Sequence, residues 1–98
     1  MATYKLRRRA VADLRSIRRL IARDDPIRAR TFVLELTEHF QRLADRHIQH
    51  RLLGDLGPGI RLAVHGNYNI YYRFIEAEDV LIVRELHGAR DLGRVVME

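Results

Sequence analysis

The chain contains no cysteine, which removes both a disulfide framework and any thiolate metal site from consideration. It has only two prolines, Pro26 and Pro58, and both fall at breaks between periodic segments. No apolar run approaches the roughly 20 residues needed to span a bilayer. The opening stretch Met1–Leu14 lacks the apolar core of a secretory signal. The expectation is a cytoplasmic protein with no membrane partner. Lysine is nearly missing as well: the positive charge is carried by seventeen arginines and Lys5 alone, for a net charge of +5. Arginine suits the forked geometry of phosphate and carboxylate better than lysine does. Such a balance fits a polyanionic or acidic partner, and it equally fits a plain solvated surface.

What is present is a short, well-patterned chain. Ninety-eight residues, 47% of them hydrophobic, make one folded domain spanning 1–98, near the low end of sizes that bury a core unaided. Thr3–Leu6 reads as a short strand. Ala10, Leu14, Ile17 and Ile21 then recur at helical spacing, with Arg15, Arg18, Arg19 and Arg23 mostly on the wet side. Asp24-Asp25-Pro26 closes that helix and opens another, with Asp25 as N-cap and Pro26 at the first helical position. Ala29, Phe32, Val33, Leu36, Phe40, Leu43 and Ala44 form a second apolar stripe. So short a break makes the pair an antiparallel αα-hairpin whose apolar faces need a sheet to cover.

The pattern dissolves from His47 to Gly59, which reads as the mobile loop of the domain. His47 and His50 stand three apart without a third ligand at metal-binding spacing, so neither a metal nor another cofactor is expected. Ile60, Leu62 and Val64 alternate with Arg61, Ala63 and His65 into Gly66-Asn67. Two more strands follow, Tyr68–Ile75 and Val80–Leu86, separated by an acidic break. The fold class is α+β, in the order β-α-α-β-β-β, with a C-terminal antiparallel sheet.

Two registers are open to the first hairpin. A two-residue loop pairs Leu62 with Tyr71 and Val64 with Asn69. A three-residue loop sets Ile60, Leu62 and Val64 beside Phe74, Tyr72 and Ile70. The second sorts apolar from polar better and is preferred. It leaves Arg61, Tyr71 and Arg73, with Arg84 on the next strand, as a basic and aromatic face turned away from the helices.

The segment Arg84-Glu85-Leu86-His87-Gly88-Ala89-Arg90-Asp91-Leu92 resembles the ParE branch of the RelE/ParE toxin superfamily. Ala12-Asp13-Leu14 with Ile17, Arg30–Leu36, Gly57-Pro58-Gly59-Ile60-Arg61 and Gly66-Asn67-Tyr68-Asn69-Ile70-Tyr71-Tyr72-Arg73 agree in order with the same branch. Glu85 departs from it, standing where an aliphatic residue is usual, as do Ala63 and His65, which replace larger apolar ones. The resemblance implies two helices packed on a three- or four-stranded antiparallel sheet. It implies a bacterial type II toxin, of the kind tied to plasmid stabilisation, wrapped by a ParD-like antitoxin and meeting operator DNA only through it. ParE-like toxins poison DNA gyrase; RelE-like ones cleave mRNA on the ribosome.

The residues themselves weigh against the second chemistry. Cleaving RNA requires a base for the 2′-OH, an acid for the leaving oxygen and cations for the phosphate. Arg61 and Arg84 can supply charge, and His87 is the side-chain type most often used for proton transfer. Beyond His87 the chain has no Tyr, His or Lys, and an arginine holds its proton too tightly for an efficient acid. His87 and Asp91 serve equally well to tie down a turn around Gly88. The reading is therefore a non-enzymatic gyrase inhibitor, with Arg61, Tyr71, Arg73, Arg84 and Arg90 as candidate contacts to target or antitoxin. The alternatives are a ribosome-dependent mRNA endoribonuclease using Arg61, Arg84 and His87, and a non-toxic antitoxin-binding co-repressor.

Overall fold

A computed structural model describes residues 2–76 and 79–88. The elements are β1 (Tyr4–Leu6), α1 (Arg8–Ala22), α2 (Pro26–Asp45), a single 3₁₀ turn (Gly54–Leu56), β2 (Arg61–His65), β3 (Tyr68–Phe74) and β4 (Val80–His87). The α2 start forms as its residues dictate: Pro26 occupies the first turn and the Asp25 carboxylate accepts the Arg28 N–H at 3.0 Å. The apolar stripes of both helices meet one face of the sheet, where Phe32, Leu36, Phe40, Ile70, Tyr72 and Ile82 form the main core. None of the described helices is long and apolar enough to cross a membrane.

The sheet order is β1-β4-β3-β2. β2, β3 and β4 are antiparallel neighbours, but β1 runs parallel to β4, with Tyr4 opposite Val80 and Leu6 opposite Ile82. The expected C-terminal antiparallel sheet is present, and β1 extends it as a parallel edge strand. Parallel neighbours need a long crossover, and the helical hairpin together with β2 and β3 supplies one.

The preferred register of the first hairpin is overturned. Leu62 pairs with Tyr71 and Val64 with Asn69, closed by the two-residue turn Gly66-Asn67. Gly66 has φ +59°, which suits the first central position of a tight hairpin turn and favours a residue without a side chain. A one-residue slip turns every side chain over. Ala63 therefore enters the main core, while Val64 is left 62% exposed.

Alternation misled because both faces of the sheet are covered. Ile60, Tyr71, Val83 and Leu86 form a second cluster on the outer face, with Leu53, Leu56, Leu62 and Leu81 packed against it. Leu53 and Leu56 come from the segment expected to be a mobile loop. That segment is fastened instead. The Tyr72 hydroxyl donates to the Ile48 carbonyl at 2.6 Å and accepts the His50 N–H at 3.2 Å, and the Leu53 N–H reaches the Ile60 carbonyl at 2.7 Å.

The last strand carries one irregularity. Tyr71 pairs with Arg84 but Tyr72 with Ile82, so Val83 is an extra residue in β4. A bulge of this kind breaks strict alternation. Ile82 faces the helices, and after the bulge Glu85, paired with Ile70, faces them too.

Candidate functional site

The four residues expected to form one basic, aromatic face are dispersed. Arg61 lies on the same side as its partner Tyr72; its Nη1 donates to the His50 carbonyl at 2.7 Å and its guanidinium sits 6.0 Å from the Phe74 ring centre. Tyr71 is fully buried in the outer cluster, its hydroxyl accepting from Asn69 Nδ2 at 3.2 Å. Burial raises its pKa. Arg84 is chelated by Asp13 of α1, Nε to Oδ2 at 2.7 Å and Nη2 to Oδ1 at 3.0 Å. Arg73 keeps the expected outer side, as the buried Tyr71 does, and lies beside Arg7 in a cavity of about 170 Å³ under Gly57 and Pro58. Arg90 and Asp91 lie outside the described residues.

His87 ends β4 opposite Tyr68, whose ring meets it edge-on at 5.4 Å. His47 and His50 serve as packing groups. His47, in the left-handed region at φ 48°, stacks on Phe74 at 4.1 Å, and His50 meets Tyr72 edge-on.

The groups that do converge lie along the seam between α1 and β4. The Asp13 carboxylate takes the Arg84 fork and also accepts the Glu85 N–H at 3.0 Å. This bidentate pair is only 14% exposed on each side, so both charges are largely out of water but mutually satisfied. The hydrogen bond to Asp13 is the main reason that Arg84 holds its proton even more tightly than usual. Next to it the Glu85 side chain is 2% exposed, and neither carboxyl oxygen has a hydrogen-bond partner among the described residues. Burial, then the nearby Asp13 charge, pushes its pKa up to about 9 against the weaker pull of Arg84. At neutral pH Glu85 is a neutral acid.

Glu85 lines a cavity of about 220 Å³ together with Asp13, Ser16, Leu20, Tyr68 and His87. Leu20, Tyr68 and His87 also border a wider hollow of about 490 Å³ running past Ile21 and Phe32 to the Gly66-Asn67 turn. The two make one groove between the helical hairpin and the ends of β3 and β4. Leu20, at its lip, is 53% exposed.

A second polar pairing lies under α2. His39 Nδ1 stands 2.8 Å from His65 Nδ1 on β2, with Phe32 edge-on to His65. Burial first, then the charges of His65, Arg42 and His50, drives the His39 pKa down to about 4; burial also lowers that of His65. Both rings are neutral at pH 7, one donating to the other.

Sequence reading missed Asp13, Glu85 and the His39–His65 pair as site residues. Glu85 did carry a signal, as an acid inside the apolar run Val80–Leu86. Nothing in the sequence joins His39 to His65, which are 26 residues apart.

The family model described as the ParE toxin of type II toxin–antitoxin systems, parDE, matches residues 4–92. No curated relative matches the chain by sequence. Among solved structures it is similar to a chain of the chromosomal ParDE toxin–antitoxin system from P. aeruginosa, at TM-score 0.72 and 22% identity, covering 89% of this chain and 96% of that one. It is also similar to a chain of the RelBE2 toxin–antitoxin complex from Mycobacterium tuberculosis, at TM-score 0.59 and 23% identity, covering 88% and 96%. At these identities the two structures speak for the fold.

Proposed function

This chain belongs to the ParE toxin family of type II toxin–antitoxin systems, and on that premise we propose that it inhibits DNA gyrase by direct contact and is neutralised by a ParD-like antitoxin. The observation that carries this reading over ribonuclease chemistry is the chelation of Arg84 by Asp13. A phosphate transition state needs cations aimed at it and free to bind. Arg84 is occupied by a carboxylate, Arg61 is held by the His50 carbonyl, and Arg73 stands on the outer face beside Arg7. Arg84 and Arg61 act as structural ties, and Arg73 lines a different cavity from His87. A protein that works by binding has no such requirement.

Neutralisation fits the surface as well. A net charge of +5 attracts an antitoxin segment that is acidic overall, and the groove beside α1 offers apolar walls for its side chains. Operator DNA is then met through the antitoxin. The toxin acts in the cytoplasm, where gyrase works.

The test is a supercoiling assay with purified gyrase. The expected result is inhibition with accumulation of cleaved DNA–gyrase complex, and no effect at excess protein overturns the reading. Rapid mRNA cleavage in a translating extract, abolished in His87→Ala, would replace it with the endoribonuclease. Harmless expression without antitoxin would replace it with the co-repressor module.

A further inference from the structure

The Glu85 carboxyl is the one buried side-chain acid among the described residues whose oxygens both lack a partner. Its surroundings do not ask for an acid. Ile70 is its strand partner, and Ile17 and Leu86 line the same cavity. An aliphatic side chain would pack there without loss of hydration, so the carboxyl is costly in the free chain. Buried polar groups left unsatisfied in a native fold call for an explanation, such as a ligand that completes them.

We infer that the Glu85 cavity is the anchoring pocket for a basic side chain, arginine or lysine, on the antitoxin segment that lies in the groove beside α1. The inference rests on the proposed neutralisation by an antitoxin and names the contact that makes it selective. Charge complementarity identifies the occupant. An acidic side chain would be brought up against the Asp13 carboxylate in the same lining and would gain no charge pairing from a protonated Glu85. A metal ion would find a single available carboxylate, since both Asp13 oxygens are engaged by Arg84, and hard cations need several oxygen ligands. A guanidinium or ammonium needs only the one carboxylate, and its aliphatic stem has Leu20 and Tyr68 to lie against. On arrival of the cation the carboxyl gives up its proton to solvent and the charge-assisted pair forms. An antitoxin lacking a base at that position would leave the acid buried and unpaired, and is rejected for that reason.

The experiment is calorimetric titration of the full chain with the antitoxin encoded by its neighbouring reading frame, in two buffers of different ionisation enthalpy. The wild-type pair is expected to release about one proton from Glu85 on binding near pH 7, and Glu85→Gln to abolish that release. Glu85→Val is expected to bind at least about tenfold more weakly while the free variant melts at a higher temperature than wild type. That combination separates a recognition role from a damaged fold. Unchanged affinity in Glu85→Val, or proton release unchanged in Glu85→Gln, overturns the inference and leaves the proposed function standing. No binding by the wild-type chain overturns the proposed neutralisation itself. A stability coupling between Glu85→Gln and Arg90→Ala or Arg94→Ala in the free chain would assign the carboxyl to the chain's own C-terminal residues. Self-association lost in Glu85→Val would assign it to a second copy, and either result overturns the antitoxin anchor.

Discussion

The two helices each cover a polar group at their seam with the sheet, and they do so in opposite ways. Under α1, Asp13 and Arg84 form a nearly closed ion pair while Glu85 beside them is buried and unpaired. Under α2, His39 and His65 share one hydrogen bond and are half-buried. Burial favours the neutral form in both places, but neutral means protonated for the acid and deprotonated for the imidazole. Glu85 therefore favours the folded state at low pH and His39 favours it at high pH. The difference separates an incomplete site from a complete one: the histidines satisfy one another, whereas Glu85 has no partner among the described residues.

The largest effect is expected from cutting the ion pair. Arg84→Ala leaves the Asp13 carboxylate with only the Glu85 N–H as partner, beside a second acid. We expect a loss of roughly 3 kcal/mol, since breaking one side of a buried pair strands the other charge. Denaturant unfolding measures it, and Asp13→Ala combined with Arg84→Ala should cost much less than the sum of the two single changes. Additive losses would mean that the seam is not a coupled unit.

Next comes the acid itself. A folded pKa of about 9 lies above the ordinary value of 4.5, so the folded state binds the proton more tightly than the unfolded chain. Its contribution is fully present below about pH 4.5 and is lost as pH rises towards 9. Glu85→Val should remove this alkaline decline and raise stability at pH 8 by about 1–2 kcal/mol. A wild-type stability that is flat between pH 5 and 9 would contradict it.

The smallest effect belongs to the histidine seam. The His39 pKa falls from 6.5 to about 4 on folding, so its contribution is present above pH 6.5 and lost as pH falls towards 4. His39→Leu should flatten the acid side of the stability curve and leave the alkaline side as in wild type. Wild-type and variant curves that run parallel from pH 4 to 7 would show that the pair is not felt in folding. Together the Glu85→Val and His39→Leu profiles test whether the two seams titrate independently.

Much of this was legible along the chain. The capped α2 with Asp25 and Pro26, the stripes at helical spacing, and the succession of helices and strands along the chain follow from local preferences that need no knowledge of the rest of the fold. Of the groove, His87 and the odd acid Glu85 were visible, the first as a titratable group at a strand end and the second as an interruption of an apolar run. Asp13 was hidden because an acid on a helix so rich in arginine reads as part of its wet face.

What the amino-acid order determined by itself is therefore periodic and local: which stretches are helix, which are strand, and where each stops. Tertiary structure decided which face of each strand is which. Leu53 and Leu56 cover the outer face of the sheet, so both faces are apolar and alternation had no means of choosing the register; the glycine turn chose it. The Val83 bulge then brought Glu85 under α1 beside Asp13, some 72 residues away in the chain. Contacts over such separations depend on which surfaces the whole chain leaves to be covered, a quantity that no local window of sequence contains.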